Sequence, residues 1–139
     1  MTILLFVLLV AACASQKGVI SLSSTEKSEV GSDTLEYELE TFDPRFESWY
    51  ELQKSPAKYR SQAYYEAWND QYVSAWNYHA SSGTGKGFFE PIIGYDFTED
   101  YGFELNHELF YYFQYVENVL KIKILPSPDN PFSIHFASC

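Results

Sequence analysis

Aromatic side chains spaced for one helix face constrain the fold of this chain more than any other feature. The run from Tyr64 to His79 reads YYEAWNDQYVSAWNYH, with polar Glu66, Asp70 and Asn77 between the rings. Rotation by about 100° per residue gathers the remaining large side chains into one arc of a helix. The spacing therefore predicts an amphipathic helix and needs no ligand to explain it. The side chains in this arc are Tyr64, Tyr65, Trp68, Tyr72, Ala75, Trp76 and His79.

Two segments alternate in the manner of half-buried strands. Residues 35–41 alternate apolar side chains with glutamates, and residues 121–125 alternate lysines with isoleucines. Opposite charges across a two-strand ladder contribute roughly 0.2–1 kcal/mol per pair, so we expect these segments to pair with each other. Residues 132–136 also alternate and are a candidate edge strand. Since an isolated ribbon is unstable, the helices must pack on it.

Three helices are expected beside this small sheet. Asp43 suits an N-cap and Pro44 suits the first helical position of a short first helix. Ser61 is the expected cap of the second helix, which carries the aromatic arc. A third amphipathic helix is predicted over residues 105–120. The expected fold class is α+β, with three helices packed on a two- or three-stranded sheet.

The N-terminus has the pattern of a secretion signal. Residues 3–10 are an unbroken apolar run, which is shorter than the roughly 20 residues needed to span a bilayer. The following Val10-Ala11-Ala12-Cys13 resembles the lipobox of bacterial lipoproteins, in which the cysteine thiol is diacylated. An ordinary signal cut after Ala12 and a short buried helix are the alternatives. We predict a lipoprotein signal peptide over residues 1–12 and lipidation of Cys13.

The rest of the chain divides into three parts by composition. Residues 13–34, which begin with the lipidated cysteine, are rich in Ser, Thr and Gly and predict a flexible tether. Residues 35–125 are expected to form a single α+β domain, and residues 126–139 a proline-rich tail. Cys139 would then have no partner within the chain.

Charge limits the partners of this protein. The formal net charge of −10 repels phosphate backbones and anionic lipid headgroups, so nucleic acid is not an expected partner. Contact with a membrane is expected through an N-terminal lipid anchor. No acidic run follows Cys13 directly, which favours a location in the cell envelope facing the periplasm.

No motif in the chain fixes a reaction, a metal or a cofactor. Counting an EF-hand from Asp96 places Tyr101 where Gly is required, which leaves only an irregular calcium site as an alternative. The pair His107-Glu108 begins like a zinc-protease motif, but Tyr111 stands where the second histidine belongs. We therefore predict no catalytic residues, no metal and no cofactor. The candidate carboxylates for a hydrolase are Glu66, Glu104 and Glu108.

Several motifs between residues 42 and 120 resemble a known family. They are Phe42-Asp43-Pro44, Trp49, the run Ser61 to Val73, Trp76-Asn77 and Asp100 to Asn106. Together they resemble a family of small uncharacterised lipoproteins from Gram-negative bacteria, classed as a domain of unknown function. The resemblance implies a lipoprotein with a single domain, and it implies no activity.

The chain has more rings than its predicted helix faces can bury, with 12 Tyr, 11 Phe and 3 Trp. The predicted faces leave out Tyr78, Phe89, Phe110, Tyr111 and Tyr115, and exposed rings suit protein or sugar contacts. We expect a non-enzymatic interaction or structural lipoprotein of the envelope. The first alternative is glycan binding, and the second is a carboxylate-dependent hydrolase. The candidate ligand-binding residues are Trp68, Asn69, Tyr72, Trp76 and Asn77.

Overall fold

The computed structural model describes residues 20–29, 32–41 and 43–126. These residues form an antiparallel pair of strands and three α-helices, which confirms the α+β fold class. The third helix packs against the other two helices and against the second strand. The elements are β1 (Ile20–Glu29), β2 (Ser32–Thr41), α1 (Pro44–Glu51), α2 (Gln62–Ser82) and α3 (Gly102–Asn118), with short 3₁₀ turns at Pro56–Lys58 and Thr84–Gly87.

The strand β2 pairs with a different segment from the one that the sequence predicts. β2 covers the predicted residues 35–41, but it pairs with β1, in a register that sets Leu39 opposite Leu22. The predicted pairing with residues 121–125 is wrong, because these residues form no strand. Lys121 has a φ of 60°, outside the extended region that a strand needs. The expected edge strand at residues 132–136 lies outside the described residues.

β1 lies in the segment that was predicted to be a tether. Ile20–Glu29 is polar along most of its length, which is why its sequence resembles a linker. Leu22 nevertheless packs against the core together with Leu39. Residues 13–19 lie outside the described part of the chain, so the domain limits stay predictions.

The helices α1 and α2 begin directly after their predicted N-cap residues. The Asp43 carboxylate accepts a hydrogen bond from the Arg45 amide at 3.0 Å, and Pro44 occupies the first turn of α1. The Ser61 hydroxyl accepts from the Tyr64 amide at 3.2 Å at the start of α2. Both predicted N-caps are confirmed.

Aromatic packing around α3 forms the core. Phe46, Trp76 and Phe113 are fully buried, and Phe46 stacks on Tyr50 with 5.4 Å between ring centroids. Tyr115 was predicted to lie outside the buried face of α3, but it is buried because α1 covers that side, with Phe46 edge-on at 5.5 Å.

Phe89 and Tyr78 were also predicted to lie outside the helix faces. Phe89 is buried instead, since it packs edge-on against Trp76 at 5.0 Å and stacks on His79 at 4.6 Å. Tyr78 is 70% exposed, as predicted. Within the described part of the chain, no helix has the length and apolar character to cross a bilayer.

Candidate functional site

Four aromatic rings and one amide line an open cavity of about 150 Å³ between α2 and α3. Tyr64, Trp68 and Tyr72 follow one another at four-residue spacing along α2, so they share one face. Phe110 and Gln114 have the same spacing on α3. We call the cavity formed by these five side chains the aromatic groove.

The rings of the groove pack against one another and are supported from below. Trp68 lies between its neighbours on α2, with centroid distances of 6.5 Å to Tyr64 and 6.2 Å to Tyr72. Phe110 approaches Tyr64 at 5.9 Å from the other helix. Tyr72 is nearly buried and stacks at 4.9 Å on Phe113, which is fully buried. The groove therefore has a fixed floor, while Tyr64 remains 39% exposed.

Polar groups at the floor are bonded within the protein. The Tyr72 hydroxyl donates to a carboxylate oxygen of Glu117 at 3.0 Å and accepts from the Gln114 amide at 2.9 Å. The other Glu117 oxygen accepts from the amides of Ile124 and Leu125, each at 3.0 Å. Burial, and then the Glu117 charge, raise the pKa of Tyr72, so its hydroxyl stays protonated. The Tyr72 hydroxyl is consequently engaged within the protein, at the floor of the groove.

The structure brings together two of the five predicted ligand-binding residues. Trp68 and Tyr72 line the groove, whereas Trp76 is fully buried and its indole N–H donates to the Pro91 carbonyl at 3.1 Å. Ligand binding by these residues stays a prediction, and the predicted lipidation site, Cys13, lies outside the described residues.

The two asparagines among the predicted ligand-binding residues form hydrogen bonds within the fold. Asn69 is fully buried, and its amide donates to the Asn106 carbonyl at 2.9 Å. Asn77 bonds both backbone groups of Ile93, at 2.9 Å and 2.8 Å. Asn69 is closed off from the surface and Asn77 is bonded to Ile93, so neither side chain forms the polar rim that a glycan site would need.

Three groove residues were not among the predicted site residues. Tyr64 belonged to the aromatic arc of α2, but its exposure depends on where α3 crosses. Phe110 fell outside the predicted buried stripe of α3, and this was the available signal for a ring left at the surface. Gln114 carries no pattern of its own that would mark it.

The candidate hydrolase carboxylates lie away from the groove lining. The Glu66 carboxylate accepts from Gln62 at 2.8 Å, and Glu104 is exposed in the first turn of α3. Glu108 is half-buried, and burial, with a further contribution from Glu47, raises its pKa to about 7. The groove lining contains no carboxyl group at all.

A buried histidine forms a second aromatic cluster. His107 is almost fully buried, and its Nδ1 lies 2.7 Å from the Tyr50 hydroxyl. Burial lowers the pKa of His107, which favours the neutral imidazole. In residues 20–29, 32–41 and 43–126, no three His, Cys, Asp or Glu side chains are placed to hold a metal ion. The rings around the imidazole are Tyr50, Tyr59, Tyr65, Phe103 and Tyr111.

Comparison with known proteins gives a family without an assigned activity. The model of a family of unknown function, DUF6146, matches residues 1–128. No curated protein and no solved structure matches the chain.

Proposed function

The chain belongs to DUF6146, a family of unknown function, and we propose that it is a lipid-anchored protein of the bacterial cell envelope. In this proposal it binds a partner through the aromatic groove and catalyses no reaction. The lipid on Cys13 would supply location, and the groove would supply recognition. The partner class that we favour is another protein of the envelope.

The aromatic groove is the observation that carries the binding role. Large rings at a surface are enriched in protein contacts because they bury much apolar area with few rotatable bonds. Tyr64 and Trp68 have this character, since one is 39% exposed and the other is half-buried at the cavity wall. The lining includes no carboxyl, imidazole, thiol or amine that could act as an acid, base or nucleophile. These features support recognition over chemistry.

Crosslinking from the groove tests this role in intact cells. A photo-crosslinking amino acid placed at Tyr64 should capture a discrete partner, identified by mass spectrometry. The matched control is the same amino acid at Tyr78, which lies on α2 and is 70% exposed. Capture of the same species from both positions, or of nothing from Tyr64, would contradict recognition of a protein partner by the groove.

The proposed location rests on the predicted lipidation of Cys13, which needs its own experiment. The apolar run and the lipobox-like Val10-Ala11-Ala12-Cys13 are its basis. Cells supplied with labelled palmitate should label the wild-type protein and leave the Cys13→Ala variant unlabelled. Equal labelling of both forms would exclude Cys13 as the anchor. A periplasm-facing location further predicts protection from protease added outside intact cells.

Glycan binding is the second candidate, and the presence of both the Trp68 ring and the Gln114 amide in the groove lining favours it. Sugars stack their apolar faces on such rings and bond their hydroxyls to nearby amides. Soluble cell-wall oligosaccharides should then shift the NMR signals of Trp68 and leave those of Trp49 in place. A carboxylate-dependent hydrolase has the least support, because Glu108 has a perturbed carboxyl group but does not line the groove.

A further inference from the structure

Four aromatic side chains line the aromatic groove, and the Tyr72 hydroxyl at its floor is bonded within the protein. The Tyr72 hydroxyl accepts a hydrogen bond from the Gln114 amide and donates its single proton to Glu117. A sugar would bring several hydroxyl groups that need partners, and burying them unpaired is unfavourable. A cation without N–H groups needs no hydrogen bond and is attracted by the negative faces of the rings. The composition of the wall therefore selects a quaternary ammonium group.

The negative charge of the protein also favours a cationic ligand. The chain carries a formal net charge of −10, which raises the local concentration of small cations. The Glu117 carboxylate lies 3.0 Å from the Tyr72 hydroxyl and so makes that side of the groove more negative. Arg60 places its guanidinium carbon 5.9 Å from the Tyr64 centroid, and its positive charge opposes a second cation there, which favours the opposite end of the groove beside Tyr72 and Glu117.

The size of the groove restricts the ligand further. Sites for drug-sized molecules have volumes of roughly 300–1,000 Å³, whereas this cavity has about 150 Å³. One compact group fills such a space, and the remainder of the ligand must project into solvent. A trimethylammonium group with a short polar chain has this shape.

We propose that the aromatic groove binds the quaternary ammonium group of a small soluble compound of the choline or betaine type. This inference rests on the binding role proposed for the groove, and it assigns the cavity itself to a small ligand instead of to a protein side chain. The methyl groups contact Trp68, Tyr72 and Phe110, while Tyr64 closes the outer side. The ligand's polar end stays in water.

Saturation-transfer NMR with the full chain tests the proposal through the ligand's own methyl signal. Choline is one probe. The other is its neutral isostere, in which a tert-butyl group replaces the trimethylammonium group. We expect choline to bind with a dissociation constant on the order of 1 mM, and the isostere to bind about tenfold more weakly. Equal binding of both probes would show an apolar cavity without cation selectivity, and no binding of choline would refute the site.

A pair of tryptophan variants connects the signal to the groove. Trp68→Leu keeps apolar bulk but removes the ring face, and it should weaken choline binding about tenfold or more. Trp49→Leu changes another half-buried tryptophan, on α1, and should leave choline binding unchanged. Circular dichroism of both variants establishes that they are folded. Equal losses in the two variants would refute binding at the groove.

The two proposals can fail separately. If the Tyr64 position captures a cellular partner but choline does not bind, the groove is a recognition site and its quaternary ammonium specificity is refuted. If choline binds selectively but no protein is captured, the ligand proposal stands and the protein-partner proposal fails.

Discussion

Glu108 provides a test of the packing because its ionisation opposes folding. It lies on α3 and is half-buried. Burial raises its pKa from an ordinary 4.5 to about 7, and the charges of Glu47 and Glu104 act in the same direction. Lys54 opposes them. Replacing Glu108 by glutamine removes the charge and keeps the size of the side chain, so the variant should be more stable wherever Glu108 is ionised.

The size of the effect follows from the pKa shift. A change from 4.5 to about 7 sets an upper limit of about 3 kcal/mol on the free energy involved. Partial contact with water screens the charge, so we expect about 1–2 kcal/mol. The pKa of Glu108 is higher in the folded state than in the unfolded state. The stability that protonated Glu108 contributes is therefore fully present below pH 4.5 and is lost as the pH rises through about 7.

Urea unfolding followed by circular dichroism measures this effect. At pH 8 the Glu108→Gln variant should exceed the wild type by about 1–2 kcal/mol in unfolding free energy, and at pH 4 the two should agree closely. Glu99→Gln is the control, since Glu99 is exposed in the loop before α3. A difference between Glu108→Gln and the wild type that is the same at both pH values would refute the proposed environment of Glu108.

Three further variants, with Leu52→Ala as a control, test other contacts by the same unfolding assay. Asp43→Ala should lose about 1–2 kcal/mol, because Asp43 caps α1 and accepts from Tyr115. Arg45 lowers the pKa of Asp43, so this loss should shrink as the pH falls below 3.8. Asn69→Ala should lose about 1–3 kcal/mol by leaving the Asn106 carbonyl without its buried donor. Phe46→Ala should lose about 3–5 kcal/mol, whereas Leu52→Ala, at a position 75% exposed, should change stability by less than about 0.5 kcal/mol.

The local signals in the sequence predict the helices well because capping is a local interaction. Asp43 and Ser61 bond amides two or three residues away, so both helix starts can be predicted from the chain itself. Strand pairing is non-local, and charge complementarity alone gave residues 121–125 as the partner of β2. The true partner, β1, has polar residues on both faces and lacks a periodic signal of its own.

The groove was predictable only in part, for a related reason. Helical periodicity gave the arc that contains Trp68 and Tyr72, but it could not show which part of the arc α3 leaves uncovered. Trp76 lies on the same arc and is fully buried. The prediction of one buried face for α3 also underestimates its burial. Because α3 contacts α1, α2 and β2, Tyr115 is buried on a second face.

Oxidative footprinting of Trp68 and Trp76 tests the central claim most directly. Hydroxyl radicals modify side chains in proportion to their contact with solvent. In the purified protein Trp68 should be oxidised and the fully buried Trp76 should be protected. In intact cells we predict that Trp68 becomes protected as well, because a partner or ligand occupies the aromatic groove. Equal oxidation of Trp68 in cells and in the purified protein would contradict that occupancy.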